Sequence, residues 1–162
     1  MAKVYLGLGS NIDPERNLRI AIGELRARFG SLESSSVYRS KAVGFDGADF
    51  LNLVVGIETD ASPEAIDAEI EAIHELVGRR RGKAKHSSRP LDIDLLLYDD
   101  LVRDTPEPRV PRPDILEYSF VLAPLAEIAP TLVHPVTGKC IEAHWREFAR
   151  STQPLTRVEN IL

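Results

Sequence analysis

Two stretches of this chain carry apolar residues at helical spacing, and each opens on a proline and closes on a glycine. In the first, Asp13 and Pro14 precede a stripe of Leu18, Ile22, Leu25 and Phe29, and Gly30 follows. In the second, Ser62 and Pro63 precede Ile66, Ile70, Ile73 and Val77, and Gly78 follows. This spacing gathers the apolar residues on one helical face. Proline suits the first helical position and glycine the position past the last turn. Asp13 and Ser62 are the expected N-caps.

Strand-like runs surround the two helices. Val4–Leu8 comes before the first and ends at Gly9-Ser10-Asn11. Leu32–Ser40 and Leu51–Glu58 lie between the two, and Leu91–Tyr98 follows the second. Residues two apart on a strand share a face, so Leu51, Leu53, Val55 and Ile57 form one row. The order β-α-β-β-α-β predicts an α+β, ferredoxin-like sandwich with helices on one face of an antiparallel sheet. C-terminal additions follow: proline-punctuated loops, a helical stretch over 120–128 and a helix over 141–150. The length of 162 residues suits one domain spanning 1–162.

The net charge of −5 disfavours a nucleic-acid partner, and the strands lack the aromatic motif of an RNA-recognition sheet. The single cysteine, Cys140, rules out an internal disulfide and fits a reducing compartment. Val4–Leu8 is too short for a signal peptide or a membrane span. A cytoplasmic monomer without a membrane partner is expected.

The sharpest chemical signal is Arg89-Pro90-Leu91-Asp92-Ile93-Asp94. Strand parity puts Asp92 and Asp94 side by side and sends Leu91, Ile93, Leu95 and Leu97 to the other face. Adjacent carboxylates repel unless a cation neutralises them. Mg²⁺ usually takes one or two carboxylates plus substrate phosphates. The plainer reading is a solvated strand end with two exposed acids. A basic stretch leads into this pair: Arg79, Arg80, Arg81, Lys83 and Lys85, then Arg89. Alone it reads as a solvated loop or a local nucleic-acid patch; beside the acid pair it reads as a polyphosphate clamp. The segment 82–88 has no large apolar residue to anchor it and is expected to close as a lid over bound triphosphate. Gly7-Leu8-Gly9-Ser10-Asn11 lacks the P-loop lysine and reads as a tight strand-to-helix turn.

Several motifs in order resemble the 6-hydroxymethyl-7,8-dihydropterin pyrophosphokinase family over most of the chain. They are Tyr5 to Asn11, Val37-Tyr38-Arg39-Ser40, Phe50-Leu51-Asn52, Gly78-Arg79, Arg89 to Asp94, and Phe120 to Leu125. The resemblance implies a ferredoxin-like fold and transfer of pyrophosphate from ATP to a pterin alcohol in folate synthesis, with AMP released. It implies that Asp92 and Asp94 hold two Mg²⁺ ions, with Arg79 and Arg89 binding ATP and stabilising the transferring group. Arg81 and Arg112 join them as expected ATP contacts. Phe50 and Phe120 match the aromatics that sandwich the pterin, Asn52 the amide on its edge, and Ser40, Lys41, Ala42 and Val43 the surrounding backbone. The chain departs from the family's usual pattern at His74, His86, Arg112 and Tyr118. Both histidines read most simply as surface or loop residues. The alternative to an enzyme is a catalytically altered relative that only binds pterin and nucleotide.

Overall fold

The computed structural model describes residues 1–78, 88–159 and 161–162. Arg79, Arg81, His86 and the 82–87 part of the expected lid lie outside the described residues.

The two proline-led stripes form α1 (Pro14–Phe29) and α2 (Pro63–Leu76). Ser62 caps α2 as expected, its hydroxyl accepting the Ala65 N–H at 3.1 Å. Asp13 does not cap α1 through its side chain. It is left-handed, with φ 44°, and the Asn17 amide secures the turn by donating to the Ile12 carbonyl at 2.7 Å. Gly30, with φ 83°, ends α1 in a conformation that favours glycine, and its N–H donates to the Arg26 carbonyl.

The strands are β1 (Ala2–Ser10), β2 (Glu33–Ser34), β3 (Val37–Ser40), β4 (Phe50–Thr59), β5 (Asp92–Tyr98) and β6 (Thr156–Val158). Across the sheet they run β5-β1-β4-β3-β6, all antiparallel, with β2 also on β4. The run 32–40 is thus split in two. At the break, the Ser35 N–H donates to the Val54 carbonyl and its hydroxyl accepts the Val54 N–H, both at 2.9 Å.

α1 and α2 cover one face. Leu18, Ile22, Leu25, Ile66, Ile70 and Ile73 meet Val4, Leu6 and Leu8, the row Leu51, Leu53, Val55 and Ile57, and Leu91, Ile93 and Leu95. The C-terminal additions cover part of the other face. These are α3 (Asp114–Glu117), α4 (Ser119–Ile128) and α5 (Ile141–Glu147), whose Ile115, Leu122, Leu125 and Ile141 pack with Tyr5, Val54 and Leu96. Leu97 joins this second cluster, against the alternation expected of β5. Between Tyr5 and Leu6 the β1–β5 register slips, so Tyr5 faces Leu97 and Leu6 faces Leu95, with Leu96 bulged between. A bulge inserts one residue and reverses the parity beyond it.

Ile70 is 2% exposed in the helix-side core. Ile70→Ala is expected to lower unfolding free energy by about 2–5 kcal/mol, measured by urea denaturation. A loss below about 1 kcal/mol would contradict this packing.

Candidate active site

The uncovered end of the second sheet face forms a cleft of about 460 Å³, within the roughly 300–1,000 Å³ usual for small-molecule sites. Strand register explains its shape. Gly9 of β1 pairs with Asn52 on one side and Asp92 on the other, and Gly7 pairs with Val54 and Asp94. At about 4.8 Å per strand, Asn52 and Asp92 stand about 10 Å apart across a floor without side chains. Both glycines lie inside β1, not in the tight turn expected of them. A Cβ on Gly9 would come within 3.0 Å of the Asn52 Oδ1.

One half of the cleft is aromatic. Phe45, Phe50, Tyr118 and Phe120 line it, together with Ser40, Lys41 and Val43. Tyr118 and Phe120 stack at 4.9 Å with 23° between their planes. Burial, then Asp114 and Glu117, raise the Tyr118 pKa, so the hydroxyl stays neutral. Asn52 is buried, and its amide donates to the Ser40 hydroxyl at 2.8 Å. Ala42 is not among the lining residues.

The other half is ionic. Asp92, Asp94 and Asp114 line it with Arg89 and Arg112. Arg89 lies 3.8 Å from Asp92, and Arg112 reaches both Asp94 and Asp114 at 3.5 Å. Burial alone would lower the Arg112 pKa, but Asp94, then Asp114 and Asp92, offset it and leave it raised. Arg112 is therefore a fixed cation. Its buried Nε faces the Asp114 Oδ1 at 3.5 Å, too long for a well-formed hydrogen bond. No group of three or more His, Cys, Asp or Glu among the described residues could hold a metal by itself. Two neighbouring carboxylates facing an open cleft do fit a hard cation whose remaining ligands come from phosphate and water.

Asn11, which is 5% exposed, ties together segments that carry the two halves. Its N–H donates to the Arg89 carbonyl at 3.1 Å, and its Oδ1 accepts the Arg89 N–H at 2.7 Å. Its Nδ2 donates to the Ala48 carbonyl at 3.1 Å, two residues before Phe50. The Ser10 hydroxyl adds a bond to the Pro90 carbonyl at 2.6 Å. The end of the β1 motif therefore clasps the segments that carry Arg89 and Phe50.

Compared with known proteins, the chain matches the model of the 7,8-dihydro-6-hydroxymethylpterin-pyrophosphokinase (HPPK) family over residues 5–130. The chain belongs to this family. It is 38% identical to the 2-amino-4-hydroxy-6-hydroxymethyldihydropteridine pyrophosphokinase of Aquifex aeolicus over 141 residues, covering 86% of this chain and 88% of that one. The HPPK relative from Bacillus subtilis is 39% identical over 138 residues, covering 83% and 82%. The fold also resembles a crystal structure of Plasmodium falciparum HPPK-DHPS, with a TM-score of 0.72 at 14% identity. That match covers 93% of this chain, which spans 45% of the Plasmodium chain.

Of the residues singled out in the sequence, Ser40, Lys41, Val43, Phe50, Asn52, Arg89, Asp92, Asp94, Arg112 and Phe120 converge on the cleft. Phe45, Asp114, Tyr118 and the two floor glycines join them, beyond the residues that the sequence places in the site. The glycines carried a signal: they alternate in register with Tyr5 on β1. His74 is not a surface residue. It is 2% exposed on the inner face of α2.

Asn11→Ala strips partners from the Arg89 N–H and the Ala48 carbonyl. The expected loss of stability is about 1–3 kcal/mol by urea unfolding. Unchanged stability would show that the clasp is not needed to hold the two segments.

Proposed function

We propose that residues 1–162 act as one unit that transfers pyrophosphate from ATP to the hydroxymethyl group of 6-hydroxymethyl-7,8-dihydropterin, in folate biosynthesis. The observation that carries this reading is the single row Asn52–Gly9–Asp92, with an aromatic slot at one end and the acid pair at the other. Family membership supports the same activity.

The flat pterin lies against Phe50 and Phe120, whose ring faces suit stacking. Asn52 offers its amide to the ring edge, held in orientation by Ser40. Backbone groups of 40–43 complete that side. Arg89 and Arg112 take the triphosphate oxygens, a task for which a planar guanidinium is well shaped. Arg79 and Arg81 are assigned to ATP by sequence resemblance alone. Asp92 and Asp94 would hold two Mg²⁺ ions, which when bound neutralise charge on the triphosphate. The pterin alcohol oxygen forms a bond to the β-phosphorus as the bond from that phosphorus to the α-phosphate oxygen breaks. AMP departs with that electron pair, and the alcohol proton passes to solvent water. A loose transition state asks for alignment and charge more than for a strong base. Arg89 and Arg112 supply that charge.

ATP and the pterin alcohol are the proposed partners, with neither nucleic acid nor membrane among them. The chain is proposed to work as a cytoplasmic monomer. The net charge of −5 supports the first statement, and none of the helices described is long and apolar enough to cross a membrane.

The deciding assay is AMP release from ATP, with and without the reduced pterin alcohol. Pterin-dependent AMP is expected, and its absence would leave a binding module. Asp92→Asn or Asp94→Asn should abolish turnover without unfolding the chain, since a partly exposed carboxylate contributes little to stability. Near-normal turnover in either variant would remove the metal assignment. Phe50→Ala or Phe120→Ala should weaken pterin binding by about 1 kcal/mol or more and leave ATP binding unchanged, read by calorimetric titration.

A further inference from the structure

His74 lies outside the cleft, buried between α2 and the sheet, and the chemistry above does not use it. Its Nε2 accepts the backbone N–H of Ile93 at 2.9 Å. That bond defines the tautomer. Nε2 must be bare, so the ring proton sits on Nδ1, which faces Glu71 Oε1 at 3.3 Å. Among the described strands, β5 is an edge strand that pairs with β1 alone. An outward N–H on a buried edge strand needs an acceptor, and the imidazole provides it. Ile93 is also the residue between Asp92 and Asp94.

We propose that His74 is a positioning residue for the Asp92–Asp94 pair. It acts through the backbone: the imidazole holds the Ile93 peptide, and the Ile93 side chain is locked in the helix-side core. Together these fix the twist of the strand where the two carboxylates leave it. The spacing of the carboxylates is thereby set from the opposite face of the sheet. This inference rests on the reading of the two aspartates as the cation-holding pair.

The test compares His74→Leu, which fills the space without an acceptor, with His74→Gln, whose amide oxygen can accept the Ile93 N–H. Three quantities are read in the full chain: hydrogen exchange of the Ile93 amide, Mn²⁺ binding in the presence of α,β-methylene ATP, and pterin binding. In His74→Leu, Ile93 exchange should speed up and Mn²⁺ affinity should fall roughly tenfold or more, the range typical of groups that orient metal ligands. Pterin affinity should stay unchanged, and His74→Gln should restore both altered quantities. Should the leucine variant not fold, His74→Asn makes the same comparison, because its shorter side chain falls short of Ile93. Wild-type Mn²⁺ affinity in an acceptor-free variant, with Asp92→Asn abolishing binding, would overturn the positioning role alone. Wild-type Mn²⁺ affinity in Asp92→Asn would overturn both that role and the reading of the acid pair.

Discussion

Along β5 and the residue before it, Leu91, Ile93 and Leu95 are locked under the two long helices, and this burial forces Asp92 and Asp94 to face the cleft. A slip of one residue would bury both carboxylates and expose the leucines, an exchange no local rearrangement could offset. The placement of the acid pair is therefore a by-product of core packing. The same parity governs the other strands. Leu51 and Leu53 go inward and Asn52 goes outward on β4, while Leu6 and Leu8 go inward and Gly7 and Gly9 outward on β1. Three strands in register thus make an amide, a bare floor and a carboxylate in one row.

Electrostatics then sets what can enter. Three carboxylates line one wall, with Arg89 and Arg112 among them. The two guanidinium groups offset the repulsion among the carboxylates. The arrangement also presents both guanidinium groups to the cleft. The aromatic half carries little charge apart from Lys41. The division between a stacking half and an ionic half matches a substrate pair of a planar heterocycle and a polyphosphate.

Much of this was legible in the sequence. The ferredoxin-like order follows from periods of 3.6 and 2, and the stripes around Ile70 and Leu53 are strong enough to read by eye. The paired acids at 92 and 94 and the outward Asn52 follow from parity alone. The misses share a cause, which is that they depend on pairing between distant segments. The face of Leu97 is set by a bulge between β5 and β1. Gly7 and Gly9 look like a turn until β1 is seen to continue to Ser10. Asn11 gains its meaning from Arg89 and Ala48, and His74 from an edge strand. β6 is short and is recognised only by its pairing with β3. Tyr118 breaks the family pattern in sequence, but its stacking on Phe120 is a fact of three dimensions.

One cleft is proposed to hold both substrates, with the reacting phosphorus between the acid pair and the aromatic slot. A crystal structure with α,β-methylene ATP, Mg²⁺ and the pterin alcohol tests it most directly. Two metal ions are expected beside Asp92 and Asp94, the triphosphate against Arg89 and Arg112, and the pterin between Phe50 and Phe120. Nucleotide bound elsewhere, or metal ions that avoid both aspartates, would contradict it.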